Sequence, residues 1–264
     1  MNEPSLGKSL LAVFLAPGQA FEILKGKVTW QHWVYPLLIV SVVLSLVPLL
    51  YRDITLYEAE QRMEKTWQKI LSNPDIPAER LGAIEEKMDK GRERLQEAKD
   101  HPWRMKNLLG YLLIPVTVLI ISALFALTLM LIGNFGMGGK IPFPALLAAV
   151  LFSYLIGGNG LFFNMQQGIG SLELLVKAPF IMMKESTDIV FSFGLLFEKI
   201  DSYVKVFLNQ LDVFVLWSTA VLGIGFARLY DRKVGNGIAV VGITWLIFMS
   251  IGSALTYLNT VVNG

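Results

Sequence analysis

The sequence predicts an all-α protein: a polytopic membrane bundle of five transmembrane helices, with an extramembrane helical hairpin and interfacial amphipathic helices. Three observations lead to this prediction. Hydrophobic residues make up 54% of the 264-residue chain and lie in long uncharged runs. The mean hydropathy is +0.54, which is typical of the membrane class. Finally, 24 of the 44 charged side chains fall within residues 52–107, which leaves the other runs suited to lipid.

The composition also excludes several kinds of site. The chain contains no cysteine, which removes disulfides, thiolate metal sites and cysteine nucleophiles. Its two histidines, His32 and His101, lie on opposite sides of the first apolar run and cannot form an ordinary histidine metal site. A net charge of +2 is too small to indicate a nucleic-acid partner. We therefore expect no metal, no cofactor and no nucleic acid.

Residues 1–33 are predicted to be a cytoplasmic, interfacial amphipathic segment. Pro17 can begin a second short helix after an apolar piece that starts at Ser9. The apolar side chains should enter the headgroup boundary while the lysines stay in water. The apolar set is Leu10, Leu11, Phe14, Phe21 and Leu24, and the lysines are Lys25 and Lys27. A cleaved secretory signal that ends near Ala20 is the alternative.

The first three spans follow from the next apolar runs. Residues 34–51 form the first span, which Pro48 should kink or stop near its end. Residues 108–163 hold the second and third spans. The third should reach Phe163, and the glycines within 157–160 should unwind it.

Residues 52–107 are predicted to form an extracytoplasmic charged helical hairpin. Apolar side chains recur at spacings of four and three on each arm, so each arm has a narrow apolar seam. A seam between only two helices buries little surface, which makes Trp67 and Met88 candidate contacts for docking a partner protein. The alternative is a pair of helices that is simply solvated.

Residues 164–210 are predicted to be extracytoplasmic amphipathic helices. From Ile189 to Leu211 the apolar side chains step by four and three, which is typical of a helix with a wide apolar face. The fully apolar part, 189–197, is too short to cross a membrane. We expect interfacial or re-entrant helices, with a shallow groove for lipid or a partner as the alternative.

Residues 211–258 hold the fourth and fifth spans. Fifteen uncharged residues separate Asp212 from Arg228. They amount to about 22 Å of helix, so one end of the fourth span must lie at the membrane boundary. A neighbouring helix can pack closely on a face of small side chains. Small residues recur here at every fourth position, namely Thr219, Gly223 and Ala227. The fourth span is therefore predicted to be the packing centre.

Six side chains are candidate binding residues: Asp212, Trp217, Asn159, Asn164, Gln166 and Gln167. An acid inside a span is costly and is often functional, but Asp212 could equally be the N-cap of the fourth helix. Trp217 could pack, or it could offer a stacking surface. The four amides, at the outer end of the third span, could bind a polar substrate or a lipid headgroup, or could be ordinary interfacial solvation.

The basic residues of the short connections predict the orientation. They lie on one side of the membrane if the chain crosses five times, and an excess of Lys and Arg marks the cytoplasmic side. This set contains Lys8, Lys25, Lys27, Lys140, Arg228, Arg232 and Lys233. The N-terminus is therefore predicted to be cytoplasmic, and the hairpin and the C-terminus extracytoplasmic.

Two segments carry a resemblance to a known family. The first is Ala16-Pro17-Gly18-Gln19-Ala20-Phe21, ahead of a Trp and a Pro. The second is Leu211-Asp212-Val213-Phe214-Val215-Leu216-Trp217, followed by Gly223-Ile224-Gly225. With five spans, the chain resembles the bacterial branch of the YIP family, the Ypt-interacting proteins, over roughly residues 9–51 and 108–258. The hairpin looks longer than the family's usual first loop.

The resemblance implies a non-enzymatic protein of the bacterial inner membrane. Eukaryotic members of the family bind small GTPases, and bacterial members accompany export machinery. The hypothesis is therefore a non-catalytic accessory or scaffold protein that docks onto an envelope or export complex through its extracytoplasmic hairpin and amphipathic helices. Its partners would be the lipid bilayer and a membrane protein complex such as a transporter, with a homo-oligomer as a further option. The alternative is a small transporter, or a lipid-handling or membrane-shaping protein.

An intramembrane hydrolase is disfavoured by the sequence. No histidine or cysteine lies in a predicted span, and the chain has no Gly-x-Ser-x-Gly elbow.

Overall fold

The structure of the chain is a computed structural model. It describes residues 6–26, 28–73, 77–101, 105–158, 170–189, 191–197 and 203–263. The regular secondary structure in these ranges is helical, apart from an isolated β-bridge that pairs Ser192 with Asp212. The all-α prediction is confirmed for this part of the chain.

The described ranges contain eleven α-helices. The first six are α1 (Leu6–Leu15), α2 (Pro17–Ala20), α3 (Gln31–Leu46), α4 (Arg52–Leu71), α5 (Ala78–Asp100) and α6 (Met105–Leu131). The other five are α7 (Phe143–Ser153), α8 (Ser171–Lys184), α9 (Tyr203–Asn209), α10 (Val213–Leu229) and α11 (Val234–Asn263). Short 3₁₀ helices cover Glu22–Lys25, Val47–Tyr51 and Phe193–Phe197, and a π-helical turn covers Ile132–Gly136.

Among the described residues, three helical segments are long and apolar enough to cross a membrane: Gln31–Leu71, Gly110–Gly136 and Val234–Leu258. They overlap the first, second and fifth predicted spans, although the first segment also includes the hairpin arm α4, and they are the helices expected of a membrane protein. The predicted third and fourth spans correspond to the shorter apolar helices α7 and α10. The α-helical geometry of α3 ends just before Pro48, where a 3₁₀ turn begins.

The chain divides into two compact units. Unit 1 comprises Met1–Ser45, Ile114–Val176 and Val190–Gly264, and unit 2 comprises Leu46–Leu113 and Lys177–Ile189.

The core of unit 1 surrounds α7. Every residue from Ala145 to Ser153 is buried, as expected for a helix that is apolar on all sides. Phe125 of α6 and Phe226 of α10 are fully buried in the same cluster, and Trp245 of α11 is 4% exposed there.

The small-residue face of α10 lies in its interface with α11. A side-chain carbon on Gly223 would come within 2.5 Å of the Ile238 Cα. A side-chain carbon on Gly237 would overlap the Gly223 carbonyl and the Ala227 methyl group. The two backbones therefore approach as closely as small residues allow, and van der Waals contact between them is extensive.

The N-terminal segment packs into unit 1, and the predicted headgroup positions of Phe21 and Leu24 are wrong. Phe21 is fully buried and Leu24 is 2% exposed, whereas Leu11 is 71% exposed. The Phe21 ring lies on Gly225, where a side-chain carbon would be 2.7 Å from it, and its centroid is 5.9 Å from that of Phe152. The glycine leaves a hollow in α10 that the ring fills, and burial there removes more apolar surface from water than an interface would.

The predicted continuous amphipathic helix from Ile189 to Leu211 is also wrong. Phe193 N donates to Leu211 O at 3.1 Å, and Val213 N donates to Phe191 O at 3.3 Å, so the chain is extended there and pairs with the start of α10. A side-chain carbon on Gly194 would overlap the Asn209 amide. These long-range backbone contacts override the helical periodicity, and only Tyr203–Asn209 remains α-helical in the described part of this stretch.

In unit 2, α4 and α5 pair as a hairpin. Arg92 lies 3.1 Å from Glu64, and Lys99 lies 2.7 Å from Glu60, so ion pairs bridge the two arms. No residue of α4 is buried.

A second contact of unit 2 fastens the segment after α8 to α4. The Glu58 carboxylate accepts hydrogen bonds from Ser186 Oγ and Thr187 N, each at 2.8 Å, and from Thr187 Oγ1. Burial raises the pKa of Glu58, but these hydrogen bonds and the nearby Arg62 lower it further, so the pKa lies below its ordinary value.

Candidate functional site at a helix junction

The end of α7 and the beginning of α8 are joined by backbone hydrogen bonds. Ser171 N donates to Tyr154 O at 3.1 Å, Leu172 N to Leu155 O at 3.0 Å, and Glu173 N to Ile156 O at 3.0 Å. The first amide groups of α8 thereby bond to carbonyl groups of the turn that directly follows α7, which would otherwise lack partners. Within unit 1, the start of α8 (residues 171–176) takes the place of the next turn of α7, so the two segments form a discontinuous helix.

Two glycines allow this junction. A side-chain carbon on Gly170 would overlap the Gly157 backbone, and one on Gly157 would overlap the Phe214 carbonyl at the start of α10. Three backbone segments therefore meet where a larger residue cannot be accommodated. The prediction that the glycines around 157 interrupt the third span agrees with this geometry. The predicted continuation of that span to Phe163 is wrong for residues 154–158, because the helix ends at Ser153 and turns at Tyr154.

Glu173 lies in the first turn of α8 and is 1% exposed. A negative charge is favourable at a helix N-terminus because of the unpaired amide groups and the helix dipole. In a protein with membrane-long helices, a buried carboxyl group is also a functional-site candidate, since removing it from water is costly. The sequence analysis did not single out Glu173. Its place beside apolar side chains in an otherwise mixed segment gave no signal of burial.

Asp212 lies at the same end of unit 1 and caps α10. Its Oδ1 accepts a hydrogen bond from Phe214 N at 2.8 Å, and the residue is 5% exposed. Of the two predicted roles, the structure shows the N-cap.

The other candidates on α10 lie apart from the junction or on a different face. Trp217 is 38% exposed, so its ring is not enclosed by the unit. Thr219, Gly223 and Ala227 are buried on the helix-packing face. The four predicted amide ligands, Asn159, Asn164, Gln166 and Gln167, lie outside the described residues. The docking candidates Trp67 and Met88 lie in unit 2, where both are half-buried.

No family model, curated protein or solved structure matches the chain. The role of the junction must therefore be inferred from its own geometry. The described part of the chain contains no group of three or more His, Asp or Glu side chains placed to hold a metal ion.

Proposed function

We propose that the chain is a non-catalytic accessory or scaffold protein of the YIP type, located in the bacterial inner membrane. It docks onto an envelope or export complex through the hairpin of α4 and α5. The observation that carries this proposal is the open seam of the hairpin.

The seam remains partly exposed although both arms are in place. Trp67 and Ile70 on α4 and Met88 on α5 are half-buried, and no residue of α4 is fully buried. Two paired helices cannot enclose such side chains, whereas a third helix from a partner could. The arms also carry ion pairs beside the seam, which would fix the register of the hairpin while leaving its apolar side chains available.

Five membrane crossings form part of the proposal. The α7 helix covers about 16 Å, and the turn after it with the bonded start of α8 extends it towards the roughly 30 Å of a hydrocarbon core. The α10 helix covers about 25 Å and ends among basic residues that can lie at the boundary.

The proposed orientation is supported by contacts between the short basic connections. Lys25 Nζ lies 2.7 Å from Asp231 Oδ1, and Arg232 donates to Met137 O at 2.8 Å. The segments that follow α2, α6 and α10 therefore meet at one end of unit 1. We assign this end to the cytoplasm because it concentrates Lys and Arg.

The proposed family membership is supported by a further contact. The two segments that carry the resemblance pack on each other through Phe21 on Gly225, and a side-chain carbon on Gly18 would come within 3.3 Å of the guanidinium of the nearby Arg228.

Site-specific photo-crosslinking tests the docking role. A photoreactive amino acid at Trp67 in the full-length chain, expressed in its own host, should capture one membrane or envelope protein. For the seam variant the photoreactive group is moved to Ile70, because Trp67 is itself replaced. The double variant Trp67→Ala/Met88→Ala should then lose the crosslinked product.

The matched control is Lys65→Ala/Lys87→Ala, which changes exposed residues of the same two arms. Retention of the product in the control and its loss in the seam variant support docking. Equal yields in both variants, or crosslinks only between copies of the chain, contradict it.

The helix junction favours a second candidate function, the handling of lipids or transport of a solute. Discontinuous helices with buried charged groups are a recurrent feature of substrate sites in membrane transporters. Glu173 is the residue that this function would use.

A scrambling assay in proteoliposomes tests the second function. The wild-type protein should accelerate movement of a fluorescent phospholipid between leaflets, and Glu173→Gln should change the rate at least several-fold. Asp212→Asn is the control, because an asparagine retains the cap. A rate equal to that of empty liposomes would exclude lipid movement.

A further inference from the structure

An apolar groove runs along the outer side of α6 in unit 1. It has a volume of about 420 Å³ and a lining almost without polar surface. The lining residues are Ile120, Ala123, Leu124, Leu127, Met130 and Phe143. Ile120 is 53% exposed and Leu127 is 42% exposed, so the groove opens outward from the unit. Because α6 belongs to a segment long and apolar enough to cross a membrane, acyl chains would lie against this opening in a membrane-spanning arrangement.

The groove ends at a connection that is held in one conformation. Asn134 Nδ2 donates to Ile141 O at 2.9 Å, and Ile141 N donates to Asn134 Oδ1 at 3.0 Å. Tyr230 Oη donates to the same Oδ1 at 2.9 Å. The Tyr230 ring fills the space that side chains on Gly133 and Gly139 would need. Lys140, which is exposed, directly precedes Ile141 in this connection and lies three residues before Phe143 of the groove lining.

Cations outnumber acids at this end. The Asp231 carboxylate is bound by Lys25, whose hydrogen bond and charge hold the pKa of Asp231 below its ordinary value. Glu22 lies 3.9 Å from both Lys25 and Arg228. Among the described residues, no carboxylate lies within ion-pairing distance of Lys140 or Arg232.

Arg232 is fixed beside the same connection. Its Nη2 donates to Met137 O at 2.8 Å, and the side chain is exposed. A guanidinium group has five N–H donors, so this bond leaves others for a phosphate.

We propose that the groove and its basic mouth bind one anionic phospholipid, with an acyl chain along α6 and the phosphate at Lys140 and Arg232. The apolar lining supplies contact for the chain, and the two cations select a negative headgroup over a zwitterionic one. This site does not depend on the docking role, because it uses only residues of unit 1.

Competitive lipid binding in nanodiscs tests the proposal. Full-length protein is placed in a mixture of phosphatidylglycerol and phosphatidylcholine with identical acyl chains, and its retained lipids are quantified by native mass spectrometry. The wild-type protein should retain one phosphatidylglycerol. Lys140→Gln and Arg232→Gln should each lower the preference about fivefold, since a basic residue near an anionic membrane contributes about 1 kcal/mol.

Charge-matched and size-matched controls isolate the site. Lys8→Gln removes an exposed cation from α1 and should leave the preference unchanged. Ala123→Phe fills the groove and should abolish retention, whereas Val116→Phe adds the same ring to an exposed position of α6 outside the groove and should not.

The outcomes separate a built site from a general surface charge. Loss of preference in Lys8→Gln equal to that in Lys140→Gln would overturn the proposal, and so would retention in Ala123→Phe equal to wild type. Melting temperatures measured in detergent without added lipid show whether each variant is folded. If either cation variant does not fold, the comparison of lipid retention in Ala123→Phe and Val116→Phe tests the proposal without it.

Discussion

In unit 1, Gly223 and Gly237 bring α10 and α11 so close that one added carbon would meet backbone atoms. In unit 2, a carbon added to Gly91 of α5 would meet only the flexible end of Met63, with the sulfur and methyl group 3.3 Å from the added carbon. Unit 1 encloses α7 and much of α10, whereas no residue of α4 is buried. The two units therefore pair helices in different ways. In unit 1 the backbones of two helices are in direct contact, and in unit 2 a shallow apolar seam is edged by ion pairs.

The largest expected effect comes from Gly223→Ala. The new methyl group would lie 2.5 Å from the Ile238 Cα, which cannot move without shifting α11. We expect a loss of about 1–3 kcal/mol in the free energy of unfolding. Unfolding of the purified protein in detergent, followed by circular dichroism, measures this loss.

Gly242→Ala is the control for this prediction. Gly242 lies on α11, the helix that packs against Gly223, but has open space around it, so the variant should be neutral or stabilise by about 0.5–1 kcal/mol. Equal destabilisation by both variants would show that close backbone packing is not what Gly223 provides.

The second effect concerns the cap of α10. Asp212→Ala removes the acceptor of the Phe214 N hydrogen bond and should cost about 1 kcal/mol, while Asp212→Asn should cost only a few tenths. Thermal unfolding of the two variants measures the difference. A loss in the asparagine variant as large as in the alanine variant would mean that the charge has a role beyond capping.

The third prediction has the opposite sign to the first. Gly91→Ala should stabilise unit 2 by about 0.5 kcal/mol, because helix propensity favours alanine and the Met63 side chain can move aside. Denaturant unfolding measures the gain. Gly82→Ala, on the same helix with nothing near it, sets the gain expected from propensity alone. A destabilisation by Gly91→Ala would mean that the hairpin seam is as rigid as the core of unit 1.

The smallest effect is a local pH dependence in unit 2. The pKa of Glu58 is lower in the folded state than in the unfolded chain, so its hydrogen bonds stabilise the contact above the unfolded pKa. This stabilisation is lost as the pH falls through the folded pKa. Hydrogen exchange at Thr187 N should therefore accelerate at acidic pH relative to a reference amide within α5.

Glu58→Gln tests the origin of that pH dependence. The amide can still accept some of the hydrogen bonds, but it does not titrate, so the acid-induced acceleration should disappear. Persistence of the acceleration in the glutamine variant would assign it to another acid.

Local chemistry explains most of what could be predicted. The uncharged runs predicted five spans, three of which correspond to described helices long enough to cross a membrane, and the charge cluster with its seam predicted α4 and α5. The spacing of Thr219, Gly223 and Ala227 predicted a face of small residues. An acid just before an apolar run gave the N-cap as one of the two predicted roles of Asp212. Each of these patterns depends on neighbours within one helix.

The failures share a different origin. After Ile189 the chain pairs with residues near Leu211 instead of forming the predicted continuous helix. Phe21 fills the hollow above Gly225 instead of lying at the predicted headgroup position. The joining of α7 to α8 depends on carbonyl and amide groups that are far apart in sequence. No local pattern signals a partner at that separation.

The sequence alone therefore determined the class of the protein, its apolar helices and the charged hairpin, because hydrophobicity and helix capping act over a few residues. Only the tertiary structure decided that two half-helices join end to end and that Glu173 is buried beside their junction. It also decided that Arg232 lies beside the connection that contains Lys140. These features arise from backbone groups that must find hydrogen-bond partners and from glycines that permit close approach, and both depend on which distant segments meet.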